Sequence, residues 1–268
     1  MFTSPLRRGA ALAALLTGCA DLSLSSLLSS VPGAGADDGT AYWEGYVYTY
    51  PFDGGDLVPL EDGAVSAVDL DGAPLALAAQ PYDDAPAWYQ LELAVGAEVG
   101  LRVEGGEGTA TVWRGRVPDG NAIWIGGTVF SFDALDMAGF FADLADHGAT
   151  GNEAPEPLES ATVAHLWGTP LNDEVAQALV TAEMEVVDGD GLVHPVYRLA
   201  TGRQGNLIDV SSMATPPDAV EIFVAVNLPP GPCTLLTRTA DGREVETTWP
   251  ALGGDVLSAA FYALPEPG

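Results

Sequence analysis

Residues 101–113 read LRVEGGEGTATVW, and residues 236–249 read LTRTADGREVETTW. In each stretch a strand-like run passes through a glycine-containing turn into a second run that ends in tryptophan. Glycine tolerates the positive φ that tight turns require, so both stretches predict a β-hairpin. The same pattern in both halves of the chain is the first sign of an internal duplication.

Three further landmarks occur in both halves and in the same order. They are a tryptophan followed closely by glycine, a Val-Asp-X-Asp-Gly sequence, and a closing Phe-X-Ala-Leu sequence. The pairs are Trp43 and Gly45 with Trp167 and Gly168, residues 68–72 with 187–191, and residues 132–135 with 261–264. A repeated unit of roughly 100 residues is typical of tandem β-sandwiches and not of a solenoid.

The runs between these landmarks favour short antiparallel strands. They are rich in β-branched and aromatic residues, and Gly, Pro and Asp interrupt them. Candidate strands of the first half are residues 43–50, 64–69, 88–93, 98–103, 109–112 and 123–132. Natural hairpin turns are Asp71-Gly72, Gly105-Gly106 and Asp119-Gly120. The predicted fold class is all-β, with two tandem antiparallel sandwiches.

Residues 133–147 follow a different pattern, with apolar residues at helical spacing. Asp133 is the expected N-cap, His147 lies in the last turn, and Gly148 suits a C-terminal cap. The polar, proline-bearing residues 151–157 come next and mark the best domain boundary. We therefore expect one short helix, within residues 133–161, between sandwiches at 42–132 and 162–264.

The second half carries a family resemblance in LPPGPCTL at residues 228–235, which follows the Asp-Gly strand end and Pro/Gly-rich sequence. It resembles transthyretin-like, or carboxypeptidase regulatory-like, domains, in which a Pro-Gly turn precedes a Val/Thr/Leu strand, as Pro230-Gly231 does. Residues 94–97, AVGA, stand at the equivalent place in the first half. The resemblance implies a transthyretin- or Ig-like sandwich with a stiffening, spacing or binding role and no active site.

The N-terminal residues resemble the leader of bacterial lipoproteins. Arg7 and Arg8 precede a short apolar run that ends in LLTGC at residues 15–19. The resemblance to a lipobox implies a signal peptide over residues 1–18 and a lipid on Cys19. Residues 19–41 are rich in Ser, Gly and Ala, which is typical of a flexible tether.

The leader also implies a location and partners. Alanine after Cys19, in place of aspartate, favours the outer membrane over retention at the inner one. No later run approaches the roughly 18 apolar residues of a membrane span, so the lipid is the expected attachment. The expected partners are the membrane, through the lipid, and an envelope protein or glycan.

Charge excludes one class of partner. The chain carries 38 acidic and 9 basic residues, a formal net charge of −29, and every basic residue is arginine. Such a surface repels phosphate backbones, so we expect no nucleic-acid binding. The acidity is consistent either with cation binding or with solubility in a salty habitat, and we favour solubility.

Two acidic sequences raise the question of calcium. Asp69 and Asp71 in one half, and Asp188 and Asp190 in the other, offer carboxylate oxygens of the kind Ca²⁺ prefers. Both sequences lack the third spaced acid and the terminal glutamate of an EF-hand loop. Asp-Gly is also a favoured hairpin turn, and we favour that interpretation. No other cofactor is expected.

A tyrosine ladder is the candidate ligand surface. Alternation places Tyr46, Tyr48 and Tyr50 on one face of the first strand, where exposed rings would stack on sugars or contact a protein. The alternative is that these tyrosines are half-buried, covering a sandwich edge or meeting the second domain, and we favour that interpretation. Trp88 and Trp124 are candidates to join the patch.

Catalytic signatures are weak. His147, His165 and His194 are far apart in the sequence, which gives a zinc site little support, and His165 and His194 suit surface or turn roles. Cys233 lies in a strand-like run and suits a buried, inert thiol. The sequence contains no G-x-S-x-G elbow, P-loop or dinucleotide fingerprint. We expect a non-enzymatic, lipid-anchored envelope protein with a structural or ligand-binding role. A secreted carboxylate-dependent hydrolase and a calcium-dependent adhesion module are the alternatives.

Overall fold

The computed structural model describes residues 39–50, 58–61, 63–78, 87–105, 108–116, 123–125, 129–132, 134–151, 153–158, 161–203 and 205–265. The strands of the first half are β1 (Thr40–Thr49), β2 (Val58–Pro59), β3 (Ala64–Val68), β4 (Pro74–Leu77), β5 (Trp88–Ala94), β6 (Glu98–Gly105), β7 (Gly108–Arg116), β8 (Ile123–Ile125) and β9 (Val129–Ser131). Those of the second half are β10 (Ala164–Pro170), β11 (Glu183–Asp188), β12 (Val193–Pro195), β13 (Tyr197–Thr201), β14 (Leu207–Asp209), β15 (Ile222–Leu228), β16 (Gly231–Arg238), β17 (Glu244–Ala251) and β18 (Val256–Tyr262). The described chain is mostly antiparallel β-structure, so the predicted fold class is confirmed.

Both halves have the same strand order, as the repeated landmarks predict. In the first half the order β4-β3-β6-β7 forms one sheet segment, and the second half repeats it as β12-β11-β16-β17. Opposite these segments, β1 pairs with β5 antiparallel and with β9 parallel, while β10 pairs with β15 antiparallel and with β18 parallel. The hairpins predicted at residues 101–113 and 236–249 are β6-β7 and β16-β17, in equivalent positions.

The halves are joined by a strand pairing that the sequence analysis did not anticipate. Strand β18 runs parallel to β7, with Val256 opposite Ala110 and Leu257 opposite Thr111. The result is one nine-stranded sheet in the order β14-β13-β15-β10-β18-β7-β6-β3-β4. Each half therefore contributes strands to this common sheet, and each half also forms a second sheet of its own.

Two helices accompany the strands in the described residues. Helix α1 (Ala134–Asp146) lies where the apolar periodicity predicts it, and Met137, Phe141 and Leu144 are buried. The amide of Ala149 bonds to the carbonyl of Leu144, and the positive φ of Gly148 closes the helix as predicted. The predicted N-cap, Asp133, lies outside the described residues. Neither helix has the length and apolar content to cross a bilayer.

Helix α2 (Asp173–Ala178) is a departure from the expected single helix. The Asn172 side chain accepts a hydrogen bond from the Val175 amide at 2.9 Å, which is the usual N-cap arrangement. Six residues are too few to show a helical period in the sequence, which is why the helix was missed.

Among the described residues, three apolar clusters form the core. One fills the space between the sheets of the first half, and one does the same in the second half. The third lies between α1 and the outer face of β10, β13 and β15, and it also receives Phe130 and Phe132 from the first half. Strands β10 and β15 are consequently buried on both faces, which explains the nearly continuous apolar run IFVAVNL of β15.

Gly168 shows why the Trp-Gly landmark exists in β10. It lies opposite Phe223 of β15, and a Cβ at this position would stand 2.2 Å from the Phe223 ring. Only glycine leaves room for that ring inside the sandwich.

Candidate functional site

The outer face of β1 and β5 presents the candidate ligand surface. Ala41, Trp43 and Val47 of β1 belong to the core of the first half, so the alternate residues point away from it. The antiparallel register places Tyr46 opposite Trp88 and Glu44 opposite Gln90. We call these four residues, together with Tyr48, the β1–β5 face.

The aromatic part of the β1–β5 face is a pair of perpendicular rings. The ring centroids of Tyr46 and Trp88 are 4.5 Å apart, with an angle of 86° between the planes. Tyr48 lies further along β1, its centroid 6.0 Å from that of Tyr46. Tyr46 is 38% exposed, and the edge-to-face contact with Trp88 holds its ring in one orientation.

The polar part is a cross-strand pair. The Gln90 side-chain amide donates a hydrogen bond to Oε1 of Glu44, and the Glu44 side chain is buried. This bond orients the amide plane of Gln90, which is only partly buried. Within the described residues, the Gln90 carbonyl oxygen has no hydrogen-bond donor. Aromatic and polar groups therefore lie on neighbouring rungs of one rigid sheet.

The predicted tyrosine ladder divides between two environments. Tyr46 and Tyr48 lie on the β1–β5 face, whereas Tyr50 packs on Trp167 of the second half, with ring centroids 4.6 Å apart. Tyr50 also contacts Phe130 and Phe132. Tyr48 and Tyr50 are both half-buried and pack against the third apolar cluster, so the alternative of half-buried tyrosines that meet the second half describes these two. Strand β8 places Trp124 beside Trp43, but the Trp124 side chain lies outside the described residues.

The sequence analysis missed Glu44 and Gln90. Neither has a local motif, and they become neighbours through the β1–β5 register, although they are 46 positions apart in the chain. Alternation along β1 was sufficient to place Tyr46 outward. Alternation alone does not say which rung of β5 lies beside it.

The Asp-X-Asp-Gly sequences form turns of a particular kind. In each, the amide of the first aspartate bonds to the carbonyl four residues later, and Gly72 and Gly191 have φ of 77° and 81°. Asp71 and Asp190 do not adopt positive φ, so neither loop is the two-residue type I′ turn that an Asp-Gly pair commonly forms. The loops have three residues, with glycine in the left-handed position of a G1 bulge.

The first aspartate of each sequence holds its own loop. Oδ1 of Asp69 accepts hydrogen bonds from the backbone amides of Asp71 and Ala73, at 3.0 and 2.8 Å. Oδ1 of Asp188 likewise accepts the amides of Asp190 and Leu192, both at 2.9 Å. Among the residues that the structure describes, no three His, Cys, Asp or Glu side chains are grouped to hold a metal ion. The calcium sites stay a prediction, and the geometry supports the turn role.

Asp188 also anchors a buried polar cluster. Its Oδ2 lies 2.9 Å from Nε2 of His194, and this hydrogen bond, followed by that from the Leu192 amide, lowers the pKa of the carboxyl. Cys233 pairs with Asp188 across the sheet. The pKa of the Cys233 thiol is raised to about 12, mainly by burial and to a smaller extent by the nearby negative charge of Asp188. A protonated, buried thiol is a poor nucleophile, in agreement with the inert role predicted for Cys233.

The surface or turn role expected for His165 is wrong, because this side chain is buried in β10. The backbone amide of Asn227 donates a hydrogen bond to Nδ1 of His165 at 3.1 Å, so the ring proton is assigned to Nε2. Nε2 lies 3.0 Å from the Glu156 carbonyl oxygen, to which it donates. Phe141 of α1 packs on the ring. Asn227 itself holds the 153–156 segment through three hydrogen bonds. His165 thus joins α1, β15 and this segment.

The neutral state of His165 predicts an acid-sensitive fold. Burial lowers its pKa below 6.5, against smaller opposing effects of the Glu156 and Ala164 carbonyls. The unfolded chain then binds this proton at a higher pH than the folded chain, so stability falls as pH drops below about 6.5. The measurement is the free energy of unfolding in urea at pH 7.5 and at pH 5.5. We expect this free energy to fall by about 1 kcal/mol less in His165→Gln than in the parent.

The control for this prediction is His147→Gln, because the His147 side chain is 41% exposed. It should follow the parent across the same pH range. A parent-like loss in His165→Gln would contradict a buried, neutral imidazole.

One cavity opens in the second half, with a volume of about 340 Å³. Its lining residues are Ala182, Glu183, Met184, Glu185, Val196, Arg198, Leu236 and Arg238. Nη1 of Arg198 donates to the carbonyls of Leu179, Val180 and Ala182 just after α2. The arginine therefore has a structural task, namely to satisfy backbone acceptors that follow the helix.

Comparison with known proteins gives little further information. No family model matches the chain, and no curated protein matches it. Among solved structures, the shaft pilin SpaA from Lactobacillus rhamnosus GG is similar at 9% identity and a TM-score of 0.22, over 83% of this chain and 97% of that one. The major pilin subunit BcpA of Bacillus cereus is similar at 9% identity and a TM-score of 0.23, over 82% and 69%. Similarity at this low level does not indicate the function of this chain.

Proposed function

We propose that this chain is a lipid-anchored envelope protein whose role is ligand binding without catalysis, with the β1–β5 face as its binding surface. The observation that carries the proposal is the exposed Tyr46 ring, oriented by Trp88 on a rigid sheet, next to an oriented Gln90 amide. Rigid aromatic and amide groups of this kind bind ligands at a low cost in side-chain entropy. The polar groups elsewhere in the described fold hold loops and strands together.

The anchor in this proposal is Cys19, and residues 20–39 are the tether between the lipid and β1, which begins at Thr40. The tether spans roughly 70 Å if fully extended, which is enough to hold the folded part clear of a lipid headgroup layer. The acidic surface repels anionic lipid headgroups and favours this separation. The ligand surface is then available to a partner in the envelope.

Cys19→Ser is expected to abolish lipidation. In a bacterial host grown with labelled palmitate, the parent should incorporate label and partition into the detergent phase, and the variant should do neither. Cys233→Ser is the matched control, because Cys233 is buried in β16 and has no role in anchoring. An unlabelled parent, or label retained by Cys19→Ser, would contradict the lipid anchor.

A further inference from the structure

We propose that the β1–β5 face binds a neutral, extended polysaccharide made of β-1,4-linked hexopyranose rings. This inference rests on the binding role proposed above and names the chemical class of the ligand. Tyr46 is the stacking residue, Trp88 positions it, and Gln90 supplies the hydrogen bonds.

The aromatic geometry suits a sugar ring. A hexopyranose in a β-1,4 chain exposes axial C–H groups on its flat faces, and these pack on the face of an aromatic ring. Tyr46 is both exposed and fixed, since Trp88 meets it edge-to-face at 4.5 Å. Because the Tyr46 ring is already held in place, stacking a sugar on it costs little side-chain conformational entropy.

The polar geometry suits the ring hydroxyls. Gln90 lies two residues from Trp88 along β5, so its amide is about 7 Å from the aromatic pair along the strand. A sugar ring stacked on Tyr46 brings its equatorial hydroxyls over that region. The Gln90 carbonyl accepts a hydroxyl proton there, and the bond to Glu44 keeps the amide in the required plane.

Charge and shape select among polysaccharides. A net charge of −29 repels uronic acids and phosphate-containing polymers. Glu44 is buried and hydrogen-bonded to Gln90, so it orients the amide and is not itself a site for a cationic sugar. The exposed Tyr46 ring stands on a sheet strand, away from the cavity of the second half, and a flat, ribbon-like chain covers such a surface better than a small ligand does.

The test is isothermal titration of the purified full-length chain with cellohexaose and with N-acetylchitohexaose. The parent should bind at least one of them. Tyr46→Ala should weaken binding by about threefold to tenfold, the range expected for one aromatic contact. Gln90→Ala should weaken it by a similar factor, and Trp88→Phe, which keeps an aromatic edge beside Tyr46, should retain most of it.

The control variant is Leu171→Ala, which removes an exposed apolar side chain in the second half and should bind like the parent. Circular dichroism of each variant shows whether the fold is intact. The inference is overturned if the folded parent binds neither hexaose, or if Tyr46→Ala binds as tightly as the parent. Neither result contradicts the proposed lipid anchor, because palmitate labelling tests that proposal separately. An unlabelled parent that still binds a hexaose would overturn the lipid anchor and leave the polysaccharide inference standing.

Discussion

Trp167→Ala is expected to lower the free energy of unfolding by about 3–5 kcal/mol, the range for removing a buried tryptophan from a well-packed core. Trp167 is fully buried in β10. Its ring centroid lies 4.6 Å from that of Tyr50 and 5.1 Å from that of Phe132. Both of these partners come from the first half, so the substitution opens a cavity between the two halves.

Urea unfolding of the full-length chain, followed by far-UV circular dichroism, measures this effect. Val193→Ala is the control, since Val193 is 60% exposed and its truncation should cost less than about 0.5 kcal/mol. The parent should unfold in one transition, because the third apolar cluster and the β18-β7 pairing unite the halves. A Trp167→Ala cost under about 1 kcal/mol, or two separate transitions in the parent, would contradict this description of the core.

The duplication could be predicted because turns are local. Each landmark depends on a few neighbouring residues, such as Asp69 and Gly72 in one loop and Asp188 and Gly191 in the other. Equivalent loops imply equivalent hairpins, and the observed strand orders agree. Alternation is local in the same way, since the parity of a position along one strand decides on which side of the sheet its side chain lies.

The connections between distant segments could not be predicted in this way. The β18-β7 pairing depends on two strands that neither share a turn nor follow one another in the chain. The burial of His165 depends on Phe141 and Asn227 arriving from other elements. The same is true of the candidate site, where the pairing of Tyr46 with Trp88 follows from strand register. A sequence shows which residues have the right chemistry, but the register decides which of them meet.

The second large effect is expected from Arg102→Met, at about 3 kcal/mol, because it removes one partner of an ion pair that crosses between the halves. Nε of Arg102 in β6 lies 3.2 Å from Oδ2 of Asp255, and Nη2 lies 3.4 Å from Oδ1. The Asp255 side chain is fully buried just before β18. Methionine keeps the length of the side chain and leaves the buried carboxylate without this positive charge.

Arg238→Met is the matched control, because its ion pair with Glu244 is exposed on both sides and should contribute less than about 1 kcal/mol. Added salt should reduce the small effect of Arg238→Met and leave that of Arg102→Met nearly unchanged, since buried pairs are weakly screened. Asp255→Asn in the Arg102→Met background completes a double-mutant cycle. Since the cost of Arg102→Met comes from removing the positive charge beside the buried Asp255 carboxylate, the double variant should lose less than the sum of the single variants. Additive losses would mean that Arg102 stabilises the junction through its packing and not through Asp255.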